Sequence, residues 1–211
     1  MGINILKIGL LITATQFFLA SGCNKNDTKP CAMVTPFSFN VTSEFSPQRE
    51  VYNVGDTIFL NSTFTKNFTN LISNQQVDYS NSVGIGGNFN LLHMDTVNRQ
   101  IKDGLNNFLL ITINGMLSAN PNVINLGKVV TFYESNSNYS IKIGIKLLQK
   151  GLFYFVLTDL YSNGLIGKNC TNAGFNMTVT NSNKNLNLFQ YALGYAPDAL
   201  LQKSIFCFRV Q

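Results

Sequence analysis

Apolar and polar residues alternate with a period of two along much of this chain, and the clearest departures lie near its two ends. Phe37–Val41 alternates in this way, and Val51–Leu60 does so more plainly: a Gly55-Asp56 turn leads into Thr57–Phe64, where Ile58 and Leu60 share one face, continued by Ser62 and Phe64. Leu91–Val97, Phe108–Ile113, Val129–Tyr133 and Ile141–Leu148 follow, and Lys150-Gly151 turns into Leu152–Leu157 to predict a hairpin. With Met177–Thr180 and Ser204–Val210 the pattern predicts about nine or ten strands. Asn and Gly mark the turns, at Gly84–Gly87, Asn114-Gly115, Asn120–Asn122, Asn163-Gly164 and Gly167. One helix is predicted over Leu188–Lys203, interrupted by Gly194 and Pro197. Strands at this spacing without alternating helices predict an all-β, antiparallel sandwich with one short C-terminal helix.

The other departure is a twelve-residue apolar run, Ile8–Leu19, preceded by Lys7 and followed by Ala20-Ser21-Gly22-Cys23. It falls short of the roughly 20 residues a membrane-spanning helix needs, and the order charged, apolar, small is that of a secretory signal. The cysteine after Ala20-Ser21-Gly22 resembles the lipobox of bacterial lipoproteins of the Bacteroidota type. That resemblance implies that Cys23 becomes the first residue of the mature protein. Its thiol then carries a diacylglycerol group, and its amino group commonly a further acyl chain such as palmitate. Ordinary signal peptidase would cut the same bond through Ala20-x-Gly22, so the two outcomes differ only in whether Cys23 is acylated. Two or more acyl chains hold a soluble domain stably on a membrane, at about 0.8 kcal/mol per buried methylene. The polar stretch Asn24–Pro30 suits a tether. The expected organisation is a signal peptide over 1–22, a lipidated N-terminus and tether over 23–35, and a single β-sandwich over 36–211.

"VGDTI" entering a strand, followed further on by Tyr139-Ser140-Ile141-Lys142-Ile143 and by Gly151 to Phe155, is similar to immunoglobulin-like domains of bacterial surface lipoproteins. The resemblance covers residues 36–66 and 139–160 and implies a fold, not an activity. The chain has no Trp, so the Cys–Trp–Cys core of antibody domains is absent.

Composition adds an address but no chemistry. Charged residues make up 12% of the 211 positions, while asparagine occurs 29 times, so amides and hydroxyls supply the polarity. The net charge of +5 becomes +4 when Lys7 leaves with the signal. Lys142, Lys146 and Lys150 are the nearest thing to a basic cluster, on one face of a predicted strand, and no basic tract interleaved with aromatics suggests nucleic acid. Besides Cys23 the chain has Cys31, Cys170 and Cys207. Export favours one disulfide, and Cys170–Cys207 is the favoured pair because both lie in the C-terminal region; closing that loop would contribute about 3–4 kcal/mol. Cys31 pinning the N-terminus to the final strand is the alternative.

Catalytic signatures do not assemble. His93 is the sole histidine, set in a strand-like segment beside Asp95, and no G-x-S-x-G elbow exists. Ten carboxylates, with Glu44, Glu50 and Glu134 the only glutamates, single out no glycosidase pair. Gly84–Gly87 fails the dinucleotide pattern because position 89 is Phe, and reads as a loop. Asn181-x-Asn183-x-Asn185 has the ligand spacing of a calcium loop without its Gly and closing Glu. The expectation is a lipid-anchored outer-membrane protein, on the periplasmic face or the cell surface, acting as a non-catalytic binding or structural module without cofactor or metal. Its partners would be the membrane and an envelope protein or glycan. A small glycan hydrolase and an accessory subunit of an outer-membrane complex are the alternatives.

Overall fold

The structure, a computed structural model, describes residues 37–119 and 128–211. In chain order the strands are β1 (Phe37–Ser46), β2 (Val51–Tyr52), β3 (Thr57–Thr65), β4 (Asn67–Thr69), β5 (Gln76–Asp78), β6 (Gly86–Asp95), β7 (Gln100–Asp103) and β8 (Phe108–Asn114). They continue as β9 (Met116–Ala119), β10 (Lys128–Thr131), β11 (Tyr133–Glu134), β12 (Asn138–Leu147), β13 (Gly151–Ser162) and β14 (Ala173–Val179). Two helices, α1 (Leu186–Leu193) and α2 (Ala199–Ser204), precede the final strand β15 (Ile205–Val210). The chain is an all-β sandwich.

One sheet is centred on β13, which pairs with β6 on one side and with β14 and β15 on the other. β10 and β9 extend it beyond β6. The second sheet is centred on β12, flanked by β3 on one side and by β8 and β11 on the other. β1 belongs to both: Phe37–Ser43 runs parallel to β14, and Glu44–Ser46 pairs antiparallel with β3. The expected antiparallel pairing therefore fails there and between β15 and β2, because these strands reach their neighbours through long connections and not through hairpins.

Alternation decides what each strand buries. In β12, Tyr139, Ile141, Ile143, Ile145 and Leu147 point into the core, facing Phe64, Ser62, Leu60 and Ile58 across the register with β3. The inward Ser62 satisfies its hydroxyl by donating to the Thr42 carbonyl at 2.6 Å. Aromatic rings fill the space between the sheets: Phe45 lies 4.8 Å from Phe155 and 4.7 Å from Phe206, Phe39 4.6 Å from Phe68, and Phe108 4.8 Å from Phe153.

The predicted hairpin between β12 and β13 does not form; the two strands lie in different sheets. β13 is apolar on both sides, with Phe153, Phe155 and Leu157 in the main core and Leu152, Tyr154 and Val156 on the opposite face. The second face is sealed by Leu188, Phe189, Ala192 and Leu193 of α1. A hairpin would have set those apolar residues beside Lys142 and Lys146, in water.

The predicted single helix is two. Gly194, at φ 81°, takes the left-handed position that closes α1, and Asp198 starts α2 by accepting from the amides of Leu200 and Leu201. The predicted loop Gly84–Gly87 is half strand. A side chain at Gly86 would lie 2.5 Å from the Val130 carbonyl and one at Gly87 2.6 Å from that of Thr158, so glycine lets β6 fit between β10 and β13.

Candidate functional site

Cys23 and Cys31 lie outside the described residues. Cys207, in β15 beneath α1, is a free and fully buried thiol, pushed up to about 12 by burial. The predicted Cys170–Cys207 bond is therefore not made, because alternation along β15 turns Cys207 into the apolar layer under the helix. Cys170 is itself disulfide-bonded. His93 lies in β6 opposite Lys102 and Phe153, its ring 5.2 Å from that of Phe153. Asp95 is not its partner: Lys102 at 2.6 Å and the Asn98 side chain and amide hold that carboxyl well below its usual range.

Most of the other carboxylates among the described residues do local work. Asp56, Asp78 and Asp103 accept turn amides, Asp159 accepts from Asn88, Asp198 caps α2, and Glu50 accepts from Asn187. Partial burial pushes Glu134 up, but the hydrogen bond and charge of Lys66 at 2.7 Å, with donors from Asn81 and Tyr139, outweigh it and leave the group below its ordinary value.

The spaced asparagines are also structural. Asn181 accepts from the Phe45 amide at 2.7 Å and donates to the Phe45 carbonyl at 2.8 Å, extending the β1 ladder by a side chain. Asn183 accepts from the amide of Asn185. Asn185, buried and at φ 53°, donates to the carbonyls of Arg49 and Cys207. Their polar groups are thus spent on backbone, and among the described residues no cluster of three or more metal-ligating groups occurs.

The feature that packing does not account for is the outer face of the second sheet. Fifteen phenylalanines lie among the described residues, and fourteen belong to the core clusters or pack against them. The fifteenth is Phe59, whose neighbours Ile58 and Leu60 point inward, so that alternation turns it outward. Across the sheet from it, Gly144 of β12 stands opposite both Phe59 and Ile111 of β8. A Cβ at Gly144 would lie 3.4 Å from the Phe59 ring and 3.5 Å from Ile111 Cβ, so the two apolar side chains approach each other over the bare glycine.

Leu109, Ile111 and Ile113 are 52%, 43% and 51% exposed, values that mark a continuous apolar edge rather than scattered single residues. The register slips between Lys142 and Ile143, leaving Ile113 unopposed as a bulge. Lys146 stands opposite Leu109, and the Lys142 ammonium lies 5.5 Å from the Phe59 ring centroid. The face therefore has an apolar centre bracketed by two cations. Among the described residues β8 pairs with β12 alone, and it carries no charged residue or proline of the kind that usually blunts a sheet edge. In the sequence the signal was Phe59's place opposite the inward pair, together with the uncharged run Phe108–Asn114.

No family model and no curated protein matches the chain. One solved structure similar to it is the second type II cohesin module from the cellulosomal adaptor ScaA scaffoldin of Acetivibrio cellulolyticus. The match is 14% identical, covers 57% of this chain and 76% of that one, and has a TM-score of 0.28.

Proposed function

We propose that this chain is an exported, lipid-anchored envelope protein whose β-sandwich is a non-catalytic docking module for another protein. Cys23 is the acylated residue, and the anchor holds the domain at the outer membrane, on its periplasmic face or at the cell surface. The observation that supports docking is the outer face of β3, β12 and β8, where Leu109, Ile111 and Ile113 meet water beside the half-buried Phe59, between Lys142 and Lys146. Leaving such side chains exposed forgoes about 1.5–3 kcal/mol for each that could be fully buried, a gain realised when a partner covers them. The chemistry that fits is an apolar side chain flanked by carboxylates.

Two measurements test this reading. Fatty-acid labelling of cells making the wild type and Cys23→Ala is expected to label only the former, and equal labelling overturns the anchor. A photo-crosslinker at Ile111 is expected to give one discrete adduct that Lys142→Glu suppresses, with none from the same group at Asn176 in β14. Adducts from Asn176 alone, or adducts indifferent to Lys142→Glu, overturn the docking face.

A further inference from the structure

The outer side of the first sheet is covered by α1 over only part of its area, and a cleft of about 340 Å³ opens where that cover ends. Its floor and walls come from β6, β13, β15 and α1, and its volume lies in the range of small-molecule sites, roughly 300–1,000 Å³. Alternation along β15 sends Phe206, Phe208 and Val210 into the main core and Ile205, Cys207 and Arg209 to the α1 side. Ile205 and Cys207 are fully buried there, while Arg209 is half-buried at the margin and lines the cleft.

Arg209 is under-used. Its Nε is buried without a hydrogen-bond partner, and among the described residues no carboxylate lies within 4.0 Å of its guanidinium. An unmade hydrogen bond of this kind destabilises the fold, more so where the group is charged. The Tyr191 ring of α1 stands 5.9 Å from the guanidinium and is otherwise open to water, 70% exposed. Asp95 is the one carboxylate lining the cleft, and Lys102 already neutralises it at 2.6 Å. His93 and Thr96 add an imidazole and a hydroxyl to the wall. Gly151 keeps the His93 side clear, since a Cβ there would lie 3.2 Å from the imidazole.

We infer that this cleft binds a small monocarboxylate with a ring-shaped body. The planar guanidinium fork suits a carboxylate in bidentate contact. The neighbouring Tyr191 ring offers a stacking surface beside that contact, and Arg209 is the one cation lining the cleft, enough for a single carboxylate. The site is separate from the Phe59 face and stands or falls without it.

The test is a titration of the full mature protein with benzoate and with glucuronate, each against its neutral counterpart, benzamide or glucose, followed by two-dimensional NMR. A saturable shift of the Arg209 Nε–H signal and of the amides of His93, Leu152 and Tyr191 is expected for at least one carboxylate and for neither neutral compound. Arg209→Gln is expected to abolish it, and Tyr191→Ala, an exposed position that the fold does not need, to weaken it about threefold to tenfold, as loss of a stacking contact worth roughly 0.5–1.5 kcal/mol would. No saturable shift with either carboxylate, equal shifts with the neutral compounds, or persistence in Arg209→Gln overturns the proposal. Should Arg209→Gln fail to fold, the Arg209 Nε–H signal of the wild type and the Tyr191→Ala titration decide it.

Discussion

The sandwich turns two very different faces to water. Where β1 and β14 run parallel, the outward residues are Asn40, Thr42, Asn176 and Thr178, with Asn40 opposite Asn176 and Thr42 opposite Thr178. Where β3, β12 and β8 lie side by side, the outward residues include Phe59, Leu109, Ile111, Lys142 and Lys146. Both faces cover the same phenylalanine-rich core, so packing beneath them does not explain the contrast. Amides and hydroxyls hydrogen-bond to water and gain little from being covered, whereas exposed aliphatic side chains gain free energy when covered. The first face is finished in water, whereas the second would gain free energy by being covered.

The largest effect sharpens this contrast by comparing phenylalanines of opposite direction. Phe155 is fully buried and touches the rings of Phe45 and Phe89. Phe155→Ala should cost about 3–5 kcal/mol, a large fraction of the roughly 5–15 kcal/mol that holds a native domain, and urea unfolding would show it as a marked drop in the transition midpoint. Next comes Asn185, the buried left-handed residue whose amide ties the segment before α1 to Arg49 and to β15. Asn185→Ala loses both bonds and strains φ, and should cost about 2–3 kcal/mol; Asn185→Gly relieves the strain alone and should recover roughly 1 kcal/mol of it.

These two residues also show how far the sequence could be read. The directions of Ile58 and Leu60 followed from a period of two, and the sandwich followed from the number of such strands, whereas Phe155 sits in a strand where that period is hidden. What alternation cannot express is a strand buried on both sides. β13 reads as a plain apolar run, and only the cover that α1 provides shows why it leaves β12 and crosses to the other sheet. Gly86 and Gly87 looked like a loop because a glycine needed for close strand approach is written the same way as one needed for a turn. The three spaced asparagines resembled ligands because an amide that holds backbone and one that holds an ion are the same group. Of the docking face, Phe59 was legible from its parity and Lys142 and Lys146 from their spacing. The cleft at Arg209 was not, since β6, β13, α1 and β15 meet only in three dimensions.

An intermediate effect lies where charge supports the fold. Lys66 and Glu134 link the end of β3 to β11, and the Glu134 carboxyl is held below its ordinary range. A depressed carboxylate stabilises the folded state above the pKa of the unfolded chain, about 4.3, and that contribution is lost as pH falls through the lower folded value. Glu134→Gln should therefore be about 1 kcal/mol less stable than the wild type at pH 7, with the gap closing as the pH falls toward 3. Parallel urea titrations at the two pH values measure it, and a gap that widens on acidification would show that the ion pair does not stabilise the fold.

The smallest change in stability is the most informative about the two faces. Phe59 contributes its ring to neither core cluster, so Phe59→Ala should shift stability by no more than about 1 kcal/mol, the value of its contact with the Lys142 ammonium. Asn176→Ala, on the opposite face, should lie within about 0.5 kcal/mol. On stability alone the two variants are alike. They part in the crosslinking readout: Phe59→Ala should suppress the adduct formed from Ile111, because the apolar centre over Gly144 is then half removed, while Asn176→Ala should leave it intact. A residue type that the described residues otherwise place in or against the core would then be dispensable for folding and required for contact, which is what distinguishes a docking surface from a ring turned outward by chance. A several-kcal/mol loss from Phe59→Ala would instead assign that ring to the fold and remove the centre of the proposed face.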